Sequence, residues 1–250
     1  MTAPILGIEK AVVVVPAHNE RAHLPRCLRA ITTAAACVAV PVVTTVVLDS
    51  CDDNSTALAG QYGPDVHFVT VDARNVGGSR AAGFSYARDM KDELCAGVDP
   101  SRIWYATTDA DSRVDPNWLS RQIEADADMV LGVVRVDDWR NYSASVIRRY
   151  LQAYHRNDGR DGRNSHQHVH GANMGFRADA YWAVGGFRPL LSGEDVELVD
   201  RFEAAGRDIR RDAKLSVVTS ARVTGRAPNG FADHLRRVSK SMRRAVKDPA

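Results

Sequence analysis

The chain has 250 residues, 44% hydrophobic and 26% charged, so it can bury a sizeable core and has the composition of an ordinary globular protein. Lysine and arginine exceed aspartate and glutamate by only 33 − 31 = 2, which argues against nucleic acid as a partner. The chain has four cysteines without CxxC spacing, no apolar run of ~20 residues, and no basic and apolar leader in its first segment, MTAPILGIEK. These features favour a reduced, cytoplasmic setting.

Short apolar runs alternate with helix-like segments along the first half of the chain. The runs have strand length and are nearly continuously apolar, as in strands buried on both faces: AVVVV (11–15), PVVTTVVL (41–48), VHFVTV (66–71), IWYATT (103–108) and MVLGVV (129–134). Helical spacing lies between them in 20–36, 54–63 and 77–94. This order predicts an α/β fold, with a mostly parallel open sheet and helices on both of its faces.

The second half of the chain is less regular. A helix is predicted over 143–155, and the Gly-, Asp-, Asn- and Arg-rich segment 156–168 is expected to be a mobile loop. Helices are then predicted over 178–184 and from near Glu194, followed by a strand near 214–219 and a basic helix at the C-terminus.

Polar, acid-bearing segments follow the first four apolar runs: PAHNE, DSCDDNS, DARNVGGSR and DADS. Aspartate after a strand commonly starts a turn or caps a helix. In open parallel sheets, however, ligands bind beyond the carboxyl ends of the strands. Four such segments in register therefore favour a ligand site at this edge.

Asp109 and Asp111 follow the fourth run and point to the same side of an extended segment. Two neighbouring carboxylates repel each other unless a cation lies near them. Hard oxygen ligands suit Mg²⁺ or Mn²⁺, which leave coordination positions for phosphate oxygens, so a metal bridge to a nucleoside diphosphate is one interpretation. The alternative is a pair of turn-capping aspartates.

Six segments in this order resemble the family 2 inverting glycosyltransferases of GT-A fold: VVVVPAHNE, LDSCDDNST, RNVGGSRAAG, TTDADS, GANMGFRADAYWAVGGF and GEDVELVDRFEAAG. The resemblance covers roughly residues 10–220 and implies one GT-A domain over 1–250 with a Rossmann-like sheet. Residues 10–115 would form the nucleotide-sugar-binding half, 116–225 a smaller acceptor and catalytic half, and 230–250 a basic C-terminal helix.

The resemblance also implies site residues. Those assigned to the donor, a UDP-, GDP- or dTDP-sugar, are Pro16, Asn19, Glu20, Asp49, Arg80, Asp109 and Asp111. Asp109 and Asp111 would bind Mn²⁺ or Mg²⁺, with Asp111 the more direct ligand. Asp195 matches the catalytic base, which takes the proton of an acceptor hydroxyl during inverting transfer. A helix N-terminus at this point would favour its ionised form, although Asp195 and Glu194 could both be simple capping residues.

Two departures from the family pattern bear on specificity. The usual pair of adjacent aspartates after the second strand is Leu48-Asp49 here, so one contact to the nucleotide is missing. The Q-x-x-R-W element of processive synthases is also absent, together with the membrane spans that accompany it. We therefore expect a soluble enzyme that makes single transfers.

Further candidates lie on the acceptor side: Glu194, His170, Gly171 and Asn173 are expected to contact the acceptor or support the residues that do. His166, His168 and His170 alternate along one segment, which could indicate a metal site or only a polar loop. Arg222 and Arg226 are either diphosphate clamps or solvated surface residues.

The C-terminal segment HLRRVSKSMRRAVK places Leu235, Val238, Met242 and Ala245 at helical intervals against six lysines or arginines. Such a helix either packs on the domain or lies on an anionic membrane near a lipid-linked acceptor. His234 is an additional candidate for approaching the metal.

Three other functions share parts of this pattern. A sugar nucleotidylyltransferase should have a Gly-rich, Arg-bearing loop after the first strand, where PAHNE stands. A dinucleotide dehydrogenase needs G-x-G-x-x-G there, whereas NVGGSRAAG follows the third strand. A non-catalytic nucleotide-binding protein has a use for Asp49 but no reason to keep Asp111 and Asp195 together.

Overall fold

The computed structural model describes residues 7–90, 97–136, 138–140, 142–155 and 166–220. Several sequence predictions lie outside these residues: Arg222, Arg226, His234, the basic helix over 230–250, and residues 156–165 of the predicted loop.

The described residues form one eight-stranded sheet in the order β3-β2-β1-β4-β7-β6-β8-β5. The strands are β1 (Lys10–Ala17), β2 (Val42–Asp49), β3 (Val66–Val71), β4 (Ile103–Thr107), β5 (Arg113–Val114), β6 (Met129–Val136), β7 (Met174–Arg177) and β8 (Ile209–Thr219). The predicted apolar runs therefore correspond to β1, β2, β3, β4 and β6.

Six α-helices lie in the described residues: α1 (Leu24–Ala36), α2 (Val76–Asp89), α3 (Trp118–Glu124), α4 (Ala144–His155), α5 (Ala178–Ala183) and α6 (Glu194–Ala204). The helix predicted over 54–63 is wrong. Only a short 3-10 turn forms there, at Ser55–Leu58, because Asn54, Gly60 and Gly63 all have left-handed backbone conformations. None of the helices in the described ranges is long and apolar enough to cross a bilayer.

Most strands of the sheet run in the same direction. Strands β3, β2, β1 and β4 are parallel, as predicted, but β7 lies antiparallel between β4 and β6. Strand β8 is parallel to β6, and β5 is antiparallel to β8. In the described residues, six of the eight strands therefore run in the same direction and only β5 and β7 are reversed, which confirms the prediction of a mostly parallel sheet.

Alternate residues of β1 enter two different cores. Val13 and Val15 belong to the core on the α1 and α3 face, together with Leu28 and Trp118. Val12 and Val14 belong to the opposite core, whose largest side chains come from α2, α5, α6 and the neighbouring strands: Phe84, Tyr105, Phe176, Tyr181 and Phe202. Helices cover both faces of the sheet, which confirms the predicted layer arrangement.

Gly83 sets the distance between α2 and the sheet. A Cβ at this position would lie 2.5 Å from Val14 Cγ1 and 2.8 Å from Val47 Cγ2, so the helix rests directly on β1 and β2. Arg80 lies one helical turn earlier on α2 and is almost completely buried. The close approach at Gly83 therefore brings Arg80 to the carboxyl edge of the parallel strands.

We predict that Gly83→Ala lowers the free energy of unfolding. Overpacking of a core typically costs about 1–3 kcal/mol, more than the roughly 1 kcal/mol that alanine gains over glycine within a helix. In a Val14→Ala background the same change should cost less, because the nearest methyl groups have been removed. Urea unfolding of the two single variants and the double variant measures this coupling, and strictly additive effects would contradict the close contact.

Candidate functional site

The loops at the carboxyl edge of β1, β2 and β3 have an unusual backbone conformation. Among the described residues, five that are not glycine have a positive φ, and four of them lie in these loops: Asn19 (55°), Ser50 (49°), Asn54 (61°) and Arg74 (54°). Left-handed conformations are unfavourable for such residues and tend to cluster at functional sites. The strain therefore marks the same edge that the polar segments indicate.

Asp49 ends β2 and organises the loop that follows β3. Its carboxylate accepts hydrogen bonds from the Arg74 and Asn75 amides (2.9 and 3.2 Å) and from the Ser79 and Ser50 hydroxyls (2.8 and 3.0 Å). Burial alone would raise the pKa of Asp49, but these hydrogen bonds outweigh it and hold the pKa below its ordinary value. Asp49 is therefore ionised and holds the start of α2, a structural role that the sequence did not indicate.

The loop after β1 is also held by internal contacts. Asn19 Oδ1 accepts a hydrogen bond of 2.8 Å from the Asp52 amide, which ties the β1 loop to the β2 loop. Glu20 is buried, with Oε2 2.9 Å from His23 Nδ1 at the start of α1. Pro16 is buried within β1. These residues shape the edge of the sheet, and their contact with a nucleotide stays a prediction.

Arg80 is the centre of a buried ionic network. Its guanidinium is 2% exposed and donates from Nη2 to Asp109 Oδ1 (2.7 Å) and from Nη1 to Glu194 Oε1 (2.5 Å). The guanidinium carbon lies 5.5 Å from the centre of the Phe187 ring. Gly171 leaves the space that the guanidinium occupies, since a Cβ there would lie 2.5 Å from Nη1. The network joins the end of β4 to the start of α6.

The environment keeps Arg80 charged. Burial lowers its pKa, but the nearby carboxylates of Asp109, Glu194 and Asp195 outweigh burial and raise the pKa above its ordinary value. The sequence predicted that Arg80 meets the nucleotide. In the structure its side chain is buried and bonded to the carboxylates of Asp109 and Glu194, and its contact with a nucleotide stays a prediction.

The two adjacent acids at the start of α6 face different surroundings. Glu194 is buried and paired with Arg80, whereas Asp195 is only half-buried. Asp195 Oδ2 accepts a hydrogen bond of 2.9 Å from the Gly171 amide, and Oδ1 accepts one of 2.9 Å from the Val196 amide in the first turn of the helix. Glu194 is therefore engaged by Arg80, whereas Asp195 is held by two backbone amides.

Asp109 and Asp111 follow β4 at the same edge. The Asp109 side chain is 39% exposed despite its bond to Arg80, and Asp111 Oδ1 lies 3.5 Å from Thr219 Oγ1 at the end of β8. In the described part of the chain, no group of three His, Cys, Asp or Glu residues could hold a metal ion. Two carboxylates with further positions left to phosphate and water oxygens nevertheless fit Mg²⁺ or Mn²⁺, which seldom use an all-protein cage.

His166 has both ring nitrogens engaged. Nε2 lies 3.1 Å from the Leu131 carbonyl oxygen and must donate to it, while Nδ1 accepts a hydrogen bond of 3.1 Å from the His168 amide. Burial lowers the pKa of His166 below its ordinary value, in agreement with a neutral ring. The structure therefore does not favour the interpretation of His166, His168 and His170 as a metal site.

His170 is half-buried, and its Nε2 lies 3.2 Å from the hydroxyl oxygen of Tyr154 on α4. Burial, followed by the influence of His168, lowers the pKa of His170 to about 4, against an opposing effect of Asp195. His170 is therefore neutral near pH 7. Tyr154 was not among the predicted site residues; its only signal in the sequence is the i, i+4 spacing from Tyr150 on a predicted helix.

Asn173 has a structural role. It is completely buried, and its Oδ1 accepts a hydrogen bond of 2.9 Å from Trp118 Nε1. Its Nδ2 donates to the Val133 and Leu215 carbonyl oxygens, both at 2.9 Å. These contacts tie α3, β6 and β8 to the turn that carries Gly171. Direct contact between Asn173 and an acceptor does not fit this arrangement, and a supporting role does.

Comparisons with known proteins agree with the fold described above. The model of glycosyl transferase family 2 matches residues 12–185. The S. aureus TarS 1–349 structure in complex with UDP-GlcNAc has a TM-score of 0.59 and 14% identity, covering 93% of this chain and 65% of that one. The mannosyltransferase PcManGT from Pyrobaculum calidifontis, in complex with GDP-Man and Mn²⁺, has a TM-score of 0.61 and 15% identity, covering 97% and 66%.

The two structural similarities show a shared fold, and this chain spans slightly less than two thirds of the length of either solved chain. No curated protein sequence matches the chain at a significant level.

We predict that Arg80→Met destabilises the protein by about 3 kcal/mol, because it leaves Glu194 buried without a counter-charge. This loss is at the lower end of the range for substitutions that remove one partner of a buried ion pair, because Asp109 is 39% exposed and water screens its charge. Arg74→Met is the matched control, because the Arg74–Asp72 pair is exposed on both sides. Urea unfolding compares the two variants, and equal losses would contradict the central role of the Arg80 network.

Proposed function

Because the chain belongs to glycosyl transferase family 2, we propose that it transfers a sugar from a nucleotide-diphosphate sugar to an acceptor hydroxyl with inversion of the anomeric carbon. The observation that carries this proposal is the Arg80 bridge. It brings Asp109, after β4, and the acid pair that begins α6 into one cluster. A donor-binding group and a proton acceptor are thus available on one surface.

The donor side would consist of Asp109 and Asp111 at the end of β4. These carboxylates would hold Mn²⁺ or Mg²⁺, which when bound stabilises the charge that develops on the leaving diphosphate. The complexes of TarS with UDP-GlcNAc and of PcManGT with GDP-Man and Mn²⁺ support a nucleotide sugar as donor and a divalent ion as cofactor.

On the acceptor side, Asp195 would be the general base. The acceptor oxygen forms a bond to the anomeric carbon while the bond from that carbon to the diphosphate oxygen breaks, and the hydroxyl proton passes to Asp195. The Gly171 amide holds Asp195 Oδ2 in place. Glu194 is occupied by Arg80, which supports the assignment of the base to its neighbour. Attack on the face opposite the diphosphate inverts the anomeric configuration.

A donor screen tests the reaction class. UDP-, GDP- and dTDP-sugars are incubated with Mn²⁺, with Mg²⁺ or with a chelator, in the presence and absence of a panel of hydroxyl acceptors. Metal-dependent release of nucleoside diphosphate together with a glycosylated product is the expected result. Exchange of the nucleotide with a sugar phosphate would instead favour a nucleotidylyltransferase, and binding without turnover would favour a non-catalytic module.

We predict that UDP, GDP or dTDP binds more tightly with Mn²⁺ than with a chelator. Asp111→Asn should weaken this binding roughly 10-fold or more, because one contact to a charged group is worth about 1.5–3 kcal/mol. Asp109→Asn is the informative comparison, since Asp109 also pairs with Arg80 and its loss should lower stability as well as binding. Calorimetry measures the binding and urea unfolding measures the stability. Equal nucleotide affinity with Mn²⁺ and with a chelator would exclude metal binding as the role of the two acids.

We also predict that Asp195→Asn lowers kcat by roughly 10²–10⁴-fold while nucleotide binding remains nearly unchanged, because the amide keeps the shape but cannot accept a proton. Glu194→Gln is the control. It removes the negative charge that pairs with buried Arg80, so its main effect should be a lower free energy of unfolding. Proton NMR of the product formed from an α-linked donor should show a β-linkage. Retention of configuration, or near-normal turnover by Asp195→Asn, would remove Asp195 from this role.

A further inference from the structure

The hydroxyl group of Tyr154 connects α4 to both β6 and His170. Its oxygen lies 3.0 Å from the Val134 amide nitrogen and 3.2 Å from His170 Nε2. An amide N–H can only donate, so the Tyr154 oxygen is the acceptor of the first bond. Neither contact was expected from the sequence, since the three residues lie 16 or more positions apart along the chain.

These contacts favour one proton arrangement in His170. A phenol has one O–H, and a phenol oxygen that accepts the Val134 N–H can donate its own O–H to His170. His170 Nε2 is then the acceptor, and the single proton of the neutral ring lies on Nδ1. The low pKa of His170 agrees with a neutral ring. His166 has the opposite form, with its proton on the Nε2 that faces the Leu131 carbonyl.

The His170 ring is also held in a fixed orientation. Its plane is within 15° of the His168 ring and within 8° of the Tyr154 ring, at centroid distances of 5.6 and 6.0 Å. Tyr154 in turn stacks on His168 at 3.8 Å and 9°. Within the described part of the chain, none of the hydrogen bonds involves His170 Nδ1. The next residue, Gly171, donates its amide to Asp195, so this oriented ring lies beside the proposed base.

We propose that His170 is a neutral hydrogen-bond donor, through Nδ1–H, to a second oxygen of the acceptor next to the hydroxyl that loses its proton to Asp195. Tyr154 is the positioning residue that fixes this tautomer. The acceptor role rests on the proposed transferase function, whereas the tautomer does not. A donor beside a carboxylate suits an acceptor with adjacent hydroxyl groups, such as a sugar or another polyol, better than a simple alcohol.

The tautomer is tested by ¹⁵N NMR of the histidine rings in the ligand-free protein. His170 should have its proton on Nδ1 and His166 on Nε2, which gives an internal reference within one spectrum; His170→Asn identifies the signals. Tyr154→Phe should shift His170 toward the Nε2-protonated form. Tyr150→Phe, one turn earlier on the same helix, should leave His170 unchanged. The assignment would be overturned if His170 of the wild-type protein has its proton on Nε2, or if Tyr154→Phe leaves the tautomer of His170 unchanged.

The acceptor role is tested by two substitutions of His170. The amide nitrogen of asparagine can occupy the position of Nδ1, whereas that of glutamine reaches the position of Nε2. The kcat/KM of each variant is measured with methyl glycosides and with simple alkyl alcohols as acceptors. For the glycosides, the kcat/KM of His170→Asn should be at least about 10-fold higher than that of His170→Gln, while the two variants bind the donor similarly. Equal loss in the two variants, or no preference of the wild type for glycosides, would overturn this role.

The two tests separate the inference from the function on which it rests. If the wild-type protein transfers sugar to none of these acceptors, the proposed function and the acceptor role of His170 both fail. The tautomer assignment is then still decided by the spectra of the ligand-free protein.

Discussion

The buried charge of Arg80 is the constraint on which the site depends. It joins residues 29 and 114 positions away in the sequence, Asp109 and Glu194, and so fixes the end of β4 and the start of α6 relative to α2. Removal of a guanidinium from water is costly, and only close, hydrogen-bonded carboxylates offset that cost. Any arrangement that separates β4, α6 and α2 leaves a charge buried without a partner. The Arg80 network therefore favours one relative position of these three elements.

Small residues around this network make the close approach possible. Gly171 borders the guanidinium, and a side chain on Gly77 would collide with the Arg188 carbonyl oxygen and lie 3.0 Å from Glu194 Cβ. Gly83 lets α2 rest on the sheet so that Arg80 reaches the strand ends. The glycines therefore act through the absence of a side chain, because protein interiors are close-packed and tolerate little added volume.

Most polar residues near the site bond to the protein itself. Asp49 holds the start of α2, Asn173 connects three elements beneath Gly171, and Glu194 pairs with Arg80. Each is buried, and burial of a polar group is tolerated only when its hydrogen bonds are satisfied. The buried groups therefore set the shape of this edge, while the more exposed Asp111 and Asp195 are the acids to which the proposed function assigns metal binding and proton transfer.

The sequence by itself determined most of the strands and helices, and it indicated the edge of the sheet at which the candidate site lies. Strand β3 was predicted at its observed bounds, the acids after β4 were found from their position after an apolar run, and the acid pair at the start of α6 was indicated by the family resemblance. Local hydrophobic patterns carry this information because they report which segments are buried. Only the tertiary structure decided that β7 enters antiparallel, that Arg80 turns inward, that Glu194 and not Asp195 meets it, and that Tyr154 reaches His170. The physical reason is that the partner of a buried polar group depends on which distant segments pack against it, and periodicity within one segment does not encode that choice.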